Sequence, residues 1–233
     1  MSASFRSPLC VALDTPDVGT VEELARATEP YVGLFKIGLT TYTALGPTAV
    51  GRVARRAPVF LDLKLHDIPA QVSGAVRAAE GAGAALVTVH ASGGGAMVRA
   101  AADAGDAITV LAVTVLTSLD DDSLTDVGMS GPTEKAVLRL AELALGNGAG
   151  GLVCSPLEVG ALRSRFGTRN DGGPLLVVPG IRPTGADPGD QRRTLDPRAA
   201  IDAGADVIVV GRPITGVEDP AAAAASIASD IRP

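Results

Sequence analysis

Eight short runs of β-branched and aliphatic residues recur along this chain, each followed by an alanine-rich amphipathic stretch. The runs occupy residues 9–13, 34–37, 59–65, 86–90, 108–115, 151–154, 175–178 and 207–210. Each is nearly continuous in apolar residues rather than alternating, as expected of parallel strands covered on both faces. Aromatic residues make up only 3% of the chain and Trp is absent, so Val, Leu, Ile and Ala must fill the core. The intervening stretches predict helices over 17–28, 40–56, 68–80, 94–104, 133–145, 156–166, 197–202 and 219–231. Their ends are marked by Pro30 and Pro58 and by Gly81, Gly105 and Gly146. Eight units in 233 residues give about 29 residues each, the size of one βα repeat. A doubly wound open sheet has the same alternation but more often five or six strands. The pattern therefore predicts a single (β/α)8 TIM barrel domain over residues 1–233.

Composition narrows the function. Twenty basic against 26 acidic residues leave a net charge of −6, and the pI near 4.9 argues against a nucleic acid partner. No run of about 18 uncharged apolar residues predicts a membrane span, and the N-terminus lacks a signal-peptide core. Cys10 and Cys154 read as small core residues, and no His, Cys, Asp or Glu grouping has metal-ligand spacing. The expectation is a soluble, cytoplasmic protein with small-molecule chemistry and no metal.

Charges on the apolar runs are the sharpest signal. In the third run, Val59-Phe60-Leu61-Asp62-Leu63-Lys64-Leu65, alternation puts Asp62 and Lys64 on one face and the leucines on the other. The leucines need the dry helical shell, so Asp62 and Lys64 face the barrel axis near its C-terminal mouth. Burying them costs several kcal/mol per ion before pairing offsets part of it. A structural ion pair plugging the barrel is one reading. Lys36 lies near the end of the second run, Asp14 follows the first, and Asp67 lies just beyond the third. Charges of alternating sign on neighbouring strands are better explained as a preorganised electrostatic site.

The last run ends in Gly211-Arg212-Pro213. Loops after strands seven and eight of such barrels often cradle phosphate with backbone N–H groups and a short helix. Gly211 admits close backbone approach, and Arg212, with Arg182 in the preceding loop, suits a phosphate. Two long connections, 117–132 and 180–195, leave strand C-termini. They read either as variable surface loops or, for the second, as a lid over an anion. His90 reads as a hydrogen-bonding strut, and His66 joins Lys64 on the inner face only if the strand stays regular.

These stretches together resemble the orotidine 5′-monophosphate decarboxylase family. The likeness rests on Lys36-Ile37-Gly38, Asp62-Leu63-Lys64-Leu65-His66-Asp67-Ile68-Pro69, Val89-His90-Ala91-Ser92-Gly93-Gly94, Pro179-Gly180-Ile181-Arg182 and Val210-Gly211-Arg212-Pro213, in family order. The resemblance implies cofactor-independent conversion of orotidine 5′-monophosphate to uridine 5′-monophosphate. It makes Lys64 the acid that protonates carbon 6 and sets Asp62 against the departing carboxylate. Lys36 and Asp67 complete the charged network. It further implies a homodimer in which Asp67 reaches the neighbouring subunit's site. Asp14 and Lys36 would hold ribose hydroxyls, Thr117 would lie near the base, and Gln191 would bridge base and phosphate. Arg182, Gly211 and Arg212 would hold the phosphate. The family has a threonine for ribose recognition where this chain has Gln71. Two alternatives remain at this point. A magnesium-dependent keto-sugar-phosphate decarboxylase would need an acidic ligand where Lys36 stands. A non-catalytic nucleotide-binding paralogue has only Gln71 in its favour.

Overall fold

The computed structural model describes residues 5–129, 131–183 and 194–231. Eight parallel strands pair in sequence order, and β8 returns to β1 to close the barrel. They are β1 (Leu9–Ala12), β2 (Leu34–Gly38), β3 (Val59–Leu65), β4 (Ala84–His90), β5 (Thr109–Val113), β6 (Gly151–Val153), β7 (Leu175–Val178) and β8 (Val207–Val210). All eight runs anticipated from the sequence are therefore strands, with ends shifted by no more than a residue or two.

The helices begin where local chemistry says they should. Asp17, Asp120, Asp196 and Asp219 each accept a backbone N–H three residues on, satisfying a donor that the helix cannot. Pro47, Pro69, Pro197 and Pro220 occupy first-turn positions, where a missing N–H costs little. Two expectations need correction. The helix expected over 40–56 is two, Leu39–Leu45 and Pro47–Val53, because Gly46 between them has φ +62°. The connection after β5, expected as a plain loop, contains helix Asp121–Asp126, capped by Asp120.

Strand parity divides the core into two layers. Residues such as Val11, Phe35, Leu61, Val87 and Ile208 pack outward against the helices. Cys10, Leu34, Phe60, Leu86, Leu111 and Val177 fill the barrel interior. Burial raises the Cys10 thiol pKa far above its ordinary value and keeps it protonated. Phe5, ahead of β1, packs against this inner layer, and the Arg6 Nε donates to the Val32 carbonyl at 2.6 Å.

One inward step toward the C-terminal mouth, the lining changes character. Leu34 gives way to Lys36, Phe60 to Asp62 and Leu86 to Thr88. Each of three adjacent strands thus turns from hydrocarbon to a polar group on its inner face toward the mouth. Among the described residues, no helix is long and apolar enough to cross a membrane.

Candidate active site

Asp14, Lys36, Asp62 and Lys64 meet at the barrel mouth as a chain of alternating charge. Lys36 Nζ lies 2.8 Å from Asp14 Oδ1 and 4.0 Å from Asp62 Oδ2. Lys64 Nζ donates to both oxygens of Asp62, each at 2.9 Å. The side chains of Lys36 and Asp62 are only 11% and 12% exposed, so their charges interact with little help from water. Either alone would be strongly unfavourable there. In alternation each cation has an anion beside it.

Neighbouring groups hold this chain in place. Asp14 is flanked by Leu13 and Thr15, and buried Thr41 fixes both: its hydroxyl lies against their carbonyls and accepts the Thr15 N–H at 3.0 Å. Gly38 stands in register with Asp62. A Cβ on Gly38 would fall 2.6 Å from Asp14 Oδ1 and 2.7 Å from Lys36 Nζ. Bare backbone at Gly38 therefore makes room for the Asp14–Lys36 pair.

β3 does not remain regular as the parity argument assumed. Leu61 pairs with Val87 and Leu65 with Val89, so β3 advances four residues while β4 advances two. Lys64 adopts φ +53° within this bulge, a positive value unusual for a residue with a Cβ. Asp62 and Lys64 still meet, but through distorted backbone rather than a pleat. The irregularity sends His66 to the exposed surface, where its ring centroid lies 5.6 Å from that of His90. His90 is half-buried, and burial is the largest cause holding its imidazole pKa below the ordinary value. His66 and Lys64 lower it further, and Asp62 opposes them.

A cavity of about 470 Å³ opens over the charged chain. Besides the four charged residues, it is lined by Thr117, Arg182, Gly211 and Arg212, with apolar walls that include Val113 and Val209. Gly211 starts the short helix Arg212–Thr215, the element anticipated after the eighth strand. Ile181 bridges Leu195 in parallel, and the Arg182 N–H donates to the Leu195 carbonyl at 2.9 Å. These pairings tie together the described ends of the long connection after β7. Gln191 lies outside the described residues.

Asp67 and Gln71 are not brought into this cavity. Both are exposed on the segment after β3, where Asp67 Oδ1 accepts the Ile68 N–H at 2.6 Å and Ile68 is 63% exposed. Sequence reasoning missed Thr41, Thr88 and the steric role of Gly38. Thr88 shared inward parity with Leu86 and His90, a signal available but unused.

A closed parallel barrel with a charged cavity opening at the strand C-termini is the architecture of a (β/α)8-barrel enzyme. Residues 7–227 match the family model for orotidine 5′-phosphate decarboxylase / HUMPS, and the chain belongs to that family. The orotidine 5′-phosphate decarboxylase of Anaeromyxobacter sp. (strain K) is 58% identical over 225 residues, covering 96% of this chain and 97% of that protein. The enzyme of the same name from Thermobifida fusca (strain YX) is 50% identical over 228 residues, covering 97% and 96%. The crystal structure of orotidine 5′-phosphate decarboxylase from Lactobacillus acidophilus matches with a TM-score of 0.85 at 34% identity, covering 97% of this chain and all of that one.

Proposed function

We propose that this protein decarboxylates orotidine 5′-monophosphate to uridine 5′-monophosphate, with Lys64 as the proton donor. The observation that carries the proposal is the alternating Asp14–Lys36–Asp62–Lys64 chain on the cavity wall. The Anaeromyxobacter relative supports it.

The chemistry needs this electrostatic pattern. When the bond from carbon 6 to the carboxylate breaks, carbon dioxide leaves and the electron pair stays at carbon 6. The pyrimidine ring cannot readily delocalise that pair. A preorganised cation stabilises it most as negative charge develops. Lys64 Nζ then passes a proton to carbon 6, and the neutral amine regains one from water. Asp62 holds the ammonium in place beforehand and lies against the substrate carboxylate. Asp14 and Lys36 take the ribose hydroxyls, and Thr117 lies by the base. Gly211, Arg212 and Arg182 receive the phosphate on the β7–β8 arc of the mouth. Lys36 places a cation where the magnesium-dependent alternative needs an acidic ligand.

The working unit in this reading is a homodimer. Asp67, Ile68 and Gln71 form an exposed segment beside the mouth, and Asp67 completes the charged chain of the partner's site. With a nucleotide substrate and two buried thiols, the compartment of this reading is the cytoplasm.

The test follows loss of orotidine 5′-monophosphate spectroscopically with purified protein and excess chelator present. Turnover to uridine 5′-monophosphate is expected. No turnover, or turnover that chelation stops and magnesium restores, would overturn the proposal.

A further inference from the structure

The bulge in β3 raises a question of hydrogen-bond accounting. A strand that advances four residues beside a neighbour's two cannot give every backbone group a ladder partner. At Lys64 the N–H turns instead to a side chain: it donates to Thr88 Oγ1 of β4 at 2.8 Å. The same hydroxyl donates its proton to Asp62 Oδ1 at 3.0 Å. Thr88 is fully buried and is not among the residues lining the cavity.

We propose that Thr88 is a positioning residue, whose hydroxyl joins the displaced Lys64 backbone to the Asp62 carboxylate and so fixes the reactive ion pair. One oxygen serves both ends of that pair. It anchors the main chain from which the Lys64 side chain departs, and it orients the carboxylate that receives the Lys64 ammonium. Asp62 Oδ1 thus accepts from Lys64 Nζ at 2.9 Å and from Thr88. Val has the shape of Thr without the hydroxyl. In its place the Lys64 N–H would lose its acceptor, and φ +53° would lose a restraint. Thr88 touches no reacting atom in this account; it acts through Lys64 and Asp62. The inference rests on the reading of Lys64 as proton donor.

The experiment compares wild type, Thr88→Val and Thr88→Ser. It measures kcat with orotidine 5′-monophosphate, the Kd of uridine 5′-monophosphate by calorimetry, and Tm. Thr88→Val is expected to lower kcat at least about tenfold, equivalent to ~1.4 kcal/mol, while Kd changes less than about threefold. Thr88→Ser keeps the hydroxyl and is expected to restore kcat to within about threefold of wild type. If Thr88→Val does not fold, Thr88→Ala takes its place under the same criteria. A smaller loss of kcat, an equal loss of nucleotide affinity, or a Ser variant as impaired as Val would overturn the inference. A lower Tm with kcat unchanged would identify Thr88 as a packing residue only. Wild type without turnover would instead remove the functional reading, and this inference with it.

Discussion

The Lys64 ammonium sits 2.9 Å from both carboxylate oxygens of Asp62, although the backbone joining them has left the regular pleat. Within one chain the pair is held on its Lys36 side by a further cation. Asp67, the remaining acidic residue of the family motif, faces outward. That outward carboxylate makes the shared-site reading testable.

Lys64→Ala and Asp67→Ala should each be inactive alone, for different reasons. Mixed subunits form some dimers having one site with both defects and one with neither. At random equal mixing, half the dimers are mixed and half their sites are intact. Recovery to about a quarter of wild-type activity is therefore expected. No recovery, with subunit exchange demonstrated by mass, would mean that Asp67 does not serve a partner's site.

Gly38→Ala tests the space beside the ion pair. The added methyl would stand 2.6 Å from Asp14 Oδ1 and 2.7 Å from Lys36 Nζ, so one of those flexible ends must move. Overpacking of this kind costs about 1–3 kcal/mol. Here it should appear mainly as at least a tenfold loss of kcat/KM, ~1.4 kcal/mol, with a modest drop in Tm. Unchanged kinetics would show that the pair tolerates displacement.

Arg212 lines the cavity on the β8 side, away from Lys64 on β3. If it grips phosphate, Arg212→Ala should cost about 2–4 kcal/mol in kcat/KM for the nucleotide. The cost should be far less for orotidine, which offers no phosphate. Steady-state kinetics with both substrates and both proteins make the comparison. Equal losses would assign Arg212 to the fold or the base end.

His90 gives a pH dependence with a definite sign. Its pKa in the fold lies below the ordinary 6.5, chiefly because burial disfavours the cation. The unfolded chain therefore binds the proton first as pH falls. The stability contribution is fully present above pH 6.5 and is lost as pH drops through the folded value. His66, Lys64 and Asp62 are the charged neighbours that modulate it. His90→Gln removes this linkage, so the Tm difference, wild type minus variant, should shrink between about pH 7.5 and about pH 5. A constant difference would show that His90 does not couple protonation to folding.

Much of this was legible from the sequence because charges on apolar strands are expensive and leave few interpretations. Lys36, Asp62 and Lys64 stood out on that ground, and the structure brings them together. What escaped notice depended on relations between strands. Thr88 reads locally as an ordinary β-branched residue, and only its position opposite the β3 bulge gives it two partners. Gly38 reads as the end of a strand until Asp14 and Lys36 are seen to occupy the place of its missing side chain. The helix break at Gly46-Pro47 was visible locally. The amphipathic pattern running through 40–56 concealed it.

The bulge between Leu61 and Leu65 also bears on how this protein can be engineered. Consensus and idealisation strategies raise stability by favouring regular strands and unstrained backbone. Applied to β3, they would select against its extra length and against a lysine at positive φ. Shortening this segment into step with β4 would give an orderly sheet while removing the bulge in which the Lys64 N–H reaches Thr88. Helices away from the mouth are open to such redesign. This stretch must be held fixed, because its irregular geometry carries the Asp62–Lys64 pair and its anchor at Thr88.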